Sequence, residues 1–141
     1  MINKYLFIAA IFCIPFLIGN SFSQSGPIYS ADSDPIGKIT NDGDILGSNG
    51  ILLGSLSKSG IIYSADSDPI GRITNDGDIL GSNGILLGSL SKSGIIYSAD
   101  SDPIGRVTND GDILGSNGIL IATAPDPQVG ALMLLHVINL H

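Results

Sequence analysis

The stretch from Thr40 to Ile73, "TNDGDILGSNGILLGSLSKSGIIYSADSDPIGRI", is followed at once by a nearly unchanged copy of itself. A shorter period lies beneath this one. Stacking Ser57–Ile73 on Thr74–Leu90 gives x-x-x-G-x-I, then an Ile or Leu further on, then G-x-[IL], so the underlying unit is half the length of the obvious repeat. Its first glycine recurs as Gly26, Gly43, Gly60, Gly77, Gly94 and Gly111, and the isoleucine two places on as Ile28, Ile45, Ile62, Ile79, Ile96 and Ile113. The later pair begins as Ile36-Gly37 and Leu53-Gly54 and decays to Ile121-Ala122 in the last unit. Six units fit between Ser23 and Ala124, and the longer period is a duplication of a pair of them. A repeated unit of this kind cannot bury an apolar face alone and must share a core with its neighbours.

The apolar stretches within a unit are too short for helices, and Gly or Pro interrupts them every few positions. Ile, Tyr and Val in such stretches favour strands. The pattern predicts five hairpins, over 36–46, 53–63, 70–80, 87–97 and 104–114, each with "TNDG" or "SKSG" at its turn. "GSNGIL" and "SADSDP" read as links between them, and half-hairpins remain at the two ends, "GPIYS" from Gly26 and "ILIA" from Ile119. Isolated hairpins are marginal in water. A linear stack needs polar end caps, whereas this repeat array runs into the apolar "VGALMLLHVINL". The expected fold is therefore all-β, a pseudo-symmetric closed ring of hairpin repeats over 24–124. The apolar tail, 125–141, then serves as a plug or closing strand, with a core strand as the simplest form.

The start of the chain, Met1–Ser23, reads as a secretory leader. A short basic stretch ends at Lys4, an apolar run covers Tyr5–Gly19, and Ser21 and Ser23 stand at the small-residue positions of a cut before Gln24. The run is short for a bilayer span and contains Pro15. Lipidation at Cys13 is disfavoured by the bulky Phe12 before it. The expected location is thus exported: periplasm, cell surface or outside, with no membrane span in the mature chain. Without Cys13 the mature chain has no cysteine, so a disulfide framework is excluded.

All thirteen acidic residues are aspartate, and beyond Lys4 they face only Lys38, Lys58, Arg72, Lys92 and Arg106. Such an acidic, glycine-rich chain argues against nucleic acid or anionic lipid as a partner.

The motif seen in "TNDGDILGSNGILLGSL" resembles the repeat of the five-fold beta-flower proteins, small exported proteins mostly of Bacteroidota with an apolar run after the last repeat. The resemblance covers Ser23 to His141 and rests on the spacing of Gly43, Ile45, Leu53, Gly54 and Leu56. It implies a ring of β-hairpins and carries no assigned activity. Five complete hairpins agree with it. Two departures stand beside it: the end halves can pair into a sixth hairpin, and the odd units carry "SADSDP" where the even ones have a mid-unit glycine.

The residues nearest to chemistry are the aspartates. Asp66, Asp68, Asp76 and Asp78 fall in one copy of the longer repeat and are candidate weak calcium ligands, since a hard cation takes six to eight oxygens. The simpler reading is turn chemistry: the spacing is not that of an EF-hand loop, and the chain has no glutamate. Catalysis is not expected. His136 and His141 lie in the tail away from the repeat serines, and no cofactor is implied. Three function classes stay open: a non-enzymatic structural or binding module making many weak contacts with a polysaccharide, a self-associating matrix protein, and a calcium-dependent module. For the first, Tyr29, Tyr63 and Tyr97 are candidate contact residues, with a core role as the alternative.

Overall fold

In the computed structural model, which describes residues 24–140, the repeats form twelve short antiparallel strands closed into one ring. The expected leader and cleavage site lie outside the described residues, apart from Gln24 itself. The strands are β1 (Gly26–Ser30), β2 (Pro35–Ile39), β3 (Asp44–Gly47), β4 (Leu52–Leu56), β5 (Ile61–Ser64) and β6 (Pro69–Ile73). They continue as β7 (Asp78–Gly81), β8 (Leu86–Leu90), β9 (Ile95–Ser98), β10 (Pro103–Val107), β11 (Asp112–Gly115) and β12 (Leu120–Thr123). Each strand pairs with its sequence neighbours, and β1 pairs with β12, Tyr29 opposite Thr123 and Ser30 opposite Ala122. The two end halves thus make the sixth pair, and the ring has six units rather than five. Among the described residues no strand edge is left open, which removes the template for edge-to-edge aggregation.

The links between the expected hairpins are themselves hairpin turns. In the β6–β7 connection, Thr74 N donates to Asp78 O (2.8 Å) and Gly77 N to Thr74 O (3.0 Å). The same pair of bonds closes "GSNG", as Gly81 N to Ile85 O and Gly84 N to Gly81 O, and "SADS", as Ser98 N to Asp102 O and Ser101 N to Ser98 O. The frame needs a left-handed fourth residue. Where glycine is missing, Ser33, Ser67 and Ser101 adopt φ near +70° in its place. Five turns, those of "TNDG" and "SKSG", lie at one end of the ring, called the mouth; the "SADS" and "GSNG" turns lie at the far end.

Curvature is built in once per unit. Each within-unit strand pair, such as β3–β4 and β5–β6, carries a register shift, whereas the between-unit pairs do not. The skipped residues are Ile36, Leu53, Ile70, Leu87, Ile104 and Ile121, one before each inward glycine or its alanine substitute. A bulge of this kind bends and twists a strand, and six of them close twelve short strands on themselves.

The bore is filled, not open. Ile28, Ile45, Ile62, Ile79, Ile96 and Ile113, the invariant position of the six units, are each 0% exposed. Full burial of one such side chain contributes about 1.5–3 kcal/mol. Opposite each lies Gly37, Gly54, Gly71, Gly88, Gly105 or Ala122. These small residues make room for the tail. A β-carbon on Gly88 would come within 2.7 Å of Leu135 Cδ2, and one on Gly105 within 2.6 Å of Leu134 Cδ1. Gly54 and Gly37 stand in the same way against Ile138 and Leu140.

The tail acts as the plug but not as a strand. It forms a helix, α1 (Pro127–Leu134), with Val129, Gly130, Ala131 and Leu132 buried. Asp126 is the N-cap and Pro127 holds the first turn, where its missing N–H costs nothing. At the other end His136, at φ +60°, takes the place usually held by glycine, with Val137 N bonded to Leu132 O and His136 N to Met133 O. Closure by β1 on β12 makes a closing strand unnecessary, and a helix satisfies its own backbone inside a bore whose wall strands are already paired.

Candidate functional site

A cavity of about 530 Å³ lies at the mouth, between the start of α1 and three successive turns. Its floor is apolar: Ile73, Leu90, Val107 and Ala124. Its wall is three turn tips, Thr74-Asn75-Asp76, Ser91-Lys92-Ser93 and Thr108-Asn109-Asp110, and its remaining side is Gln24, Pro125, Pro127 and Gln128.

The hydroxyls in this wall hold the turns as acceptors. Thr74 Oγ1 accepts from Asp78 N (3.1 Å), Thr108 Oγ1 from Asp112 N (3.1 Å) and Ser91 Oγ from Ile95 N (3.0 Å). A threonine hydroxyl used as an acceptor keeps its own hydrogen for a further partner. The Asn75 and Asn109 amides and the Asp76 and Asp110 carboxylates are exposed at the tips and bond to no described residue. The Lys92 ammonium group belongs to the turn between the two aspartates. The mouth thus offers donors and acceptors of both charges above an apolar floor, the pattern of a binding concavity with few oriented polar groups.

The four aspartates singled out in one copy do not converge. Asp66 and Asp68 lie in the far-end turn between β5 and β6, whereas Asp76 and Asp78 lie at the mouth, across the whole of strand β6. A strand of that length spans roughly 16 Å. Among the described residues no group of three or more His, Cys, Asp or Glu is placed to hold a metal ion. Within the turns it is the Ser or Thr hydroxyl that accepts backbone N–H groups, while the aspartates supply those N–H groups: Ser64 Oγ takes Asp66 N (3.2 Å) and Asp68 N (3.3 Å).

Tyr29, Tyr63 and Tyr97 stand on β1, β5 and β9, outside the buried core and away from the mouth lining. They sit opposite Pro35, Pro69 and Pro103 across the bulged pairs. Tyr29 is 38% exposed and the other two are half-buried. His136 is exposed and does not line the mouth. Sequence reading missed the mouth residues Lys92, Asn75 and Asn109. The alternation of "TNDG" and "SKSG" was the available signal, but only ring closure puts consecutive turns side by side.

No helix among the described residues is long and apolar enough to cross a membrane. The strands are about half the length that a bilayer-spanning strand requires. Comparison with known family models, curated proteins and solved structures gives no match to this chain.

Proposed function

We propose that the chain is an exported, non-enzymatic binding module whose mouth engages a neutral polyhydroxylated polymer, such as a cell-surface glycan. The observation that carries this reading is the concavity of about 530 Å³, with hydroxyl, amide, carboxylate and ammonium groups around an apolar floor. Sugars present apolar ring faces edged by hydroxyls that both donate and accept. A wall of threonine, serine and asparagine side chains matches that edge, and the Ile73, Leu90 and Val107 floor matches the face. The excess of aspartate over lysine around the rim disfavours polyanions. The resemblance to the beta-flower repeat supports the export and ring components of this reading. Sheet-edge self-assembly is less well supported, because β1 on β12 leaves no edge to extend.

The test is retention on immobilised neutral and acidic glycans, with Lys92→Ala and Asn109→Ala in the mouth and Tyr63→Ala on the outer wall. Neutral glycans are expected to retain the chain. Each mouth substitution should weaken retention about fivefold to tenfold, the loss expected from one or two net hydrogen bonds, while Tyr63→Ala leaves it within twofold. Loss with Tyr63→Ala alone would move the contact surface to the outer wall.

A further inference from the structure

Asp126 is the only polar or charged side chain among the buried described residues, 3% exposed. Its two oxygens have different tasks. Oδ1 accepts from Gln128 N (2.7 Å) and caps α1. Oδ2 accepts from Gln24 N (2.9 Å), a residue 102 positions away at the other end of the repeat array. This contact joins the start of β1 to the start of the plug at the seam where the ring closes without a turn. Gln24 is also the residue before which the small Ser21 and Ser23 position a leader-peptidase cut. One atom, the Gln24 nitrogen, is therefore singled out twice, by a contact in the structure and by the cut expected from the sequence.

We propose that cleavage between Ser23 and Gln24 completes the fold, by turning the Gln24 nitrogen into an α-ammonium group that pairs with the buried Asp126 carboxylate. In the hydrolysis, water adds its hydroxyl to the Ser23 carbonyl carbon as the C–N bond breaks. The released amine of Gln24 takes up a proton, leaving −NH₃⁺ against Asp126 Oδ2. A charge-assisted bond is shorter and about twice as strong as one from a neutral N–H, and the positive end of α1 already favours a carboxylate at this position. Leader removal thus tightens the ring at its one unlooped seam. The same pairing holds the amine protonated and so non-nucleophilic. It protects Gln24 from attack on its own side-chain amide, the reaction that would close a neutral five-membered lactam and expel ammonia.

The test starts from the full chain, exported and processed, with its N-terminus read by mass spectrometry. The expected product begins at Gln24 with the uncyclised amine. Its thermal unfolding is compared with that of the unprocessed chain, and both are repeated with Asp126→Asn, which keeps an N-cap oxygen but removes the charge. The processed chain is expected to melt higher by on the order of 5 °C, and Asp126→Asn to abolish that difference. As a second readout, incubation of the native processed chain should convert at least tenfold less Gln24 to the lactam than incubation of the Asp126→Asn chain. If Asp126→Asn does not fold, the same rate is compared between native and urea-unfolded processed chain, with tenfold protection again expected. An N-terminus elsewhere, equal melting of processed and unprocessed chains, a difference that persists in Asp126→Asn, or equal rates of lactam formation would each overturn the proposal.

Discussion

The two ends of the ring use the same kind of turn under different constraints. At the mouth, the left-handed glycine sits under the neighbouring strand. A β-carbon on Gly77 would meet the Leu90 carbonyl oxygen, and the Gly77 carbonyl in turn accepts Leu90 N (2.8 Å). Gly43, Gly60, Gly94 and Gly111 repeat both features against Leu56, Ile73, Val107 and Ala124. At the far end, Gly50, Gly84 and Gly118 have the same sense of φ, +80° to +83°, but nothing lies within 4 Å of the missing β-carbon. The far end also accepts serine at the equivalent position three times, as Ser33, Ser67 and Ser101. Mouth turns are stitched to the next hairpin; far-end turns hang free. The repeat therefore keeps glycine wherever two independent demands fall on it and lets it vary where only the backbone angle matters.

The sharpest way to break this comparison is a matched pair of substitutions. Gly77→Ala should destabilise by about 3 kcal/mol, combining left-handed strain with a collision against a backbone carbonyl that has no room to retreat. Gly84→Ala should cost about 1 kcal/mol, the backbone term alone. Urea unfolding of the two chains measures both, and equal losses would show that the close approach at the mouth relaxes freely. A smaller effect of opposite sign is expected at the far-end serines. Each holds φ near +70° without glycine's freedom. Ser67→Gly should therefore stabilise by about 0.5 kcal/mol after glycine's unfolded-state entropy is deducted. The three sites lie far apart, and changing Ser33, Ser67 and Ser101 together should give roughly three times that gain.

The same contrast explains how much was legible in the sequence. Period, strand positions, the mouth turns and the buried isoleucines are all consequences of local pattern. Half of the far-end turns, those of "SADSDP", read as loose links because they lack the glycine that marks such a turn; serine in the left-handed region is a tertiary accommodation with no sequence sign. The "GSNG" turns do carry that glycine, and they read as links only because a frame that pairs strands across the mouth turns leaves them between hairpins. The sixth pair was an open alternative, since whether β1 reaches β12 depends on the sum of six bulges and not on either strand. The helical tail does carry a signal: Asp126-Pro127 before Val-Gly-Ala-Leu-Met-Leu, once Gln128 is passed, is an N-cap, a first-turn proline and mostly good helix formers. The same Asp-Pro pair opens β2, β6 and β10 as Asp34-Pro35, Asp68-Pro69 and Asp102-Pro103, which is why it does not discriminate. Proline's fixed φ suits the start of either element, so the residues after it decide: bulge and glycine give a strand, Ala-Leu-Met a helix. The candidate site was the least legible part, because the mouth is assembled from three turns, each a full repeat unit from the next.

The smallest effect is expected from calcium, and it bears on both ends at once. Each end carries three aspartate pairs: Asp42/Asp44, Asp76/Asp78 and Asp110/Asp112 at the mouth, and Asp32/Asp34, Asp66/Asp68 and Asp100/Asp102 at the far end. The mouth interleaves Lys58 and Lys92 between its pairs, whereas the far end interleaves the neutral Asn49 and Asn83. Any calcium affinity should therefore favour the far end. A single pair nevertheless brings two carboxylates to a cation that needs six to eight oxygens, and the Ser64 and Ser98 hydroxyls beside them are already taken by backbone N–H groups. Excess calcium and excess chelator are expected to give melting temperatures within about 1 °C of each other, since occupancy well below saturation shifts stability by only a fraction of RT. A larger rise with calcium, lost on substituting Asp66 and Asp68 but kept on substituting Asp76 and Asp78, would make the far end a second ligand surface and reverse the assignment of the two ends.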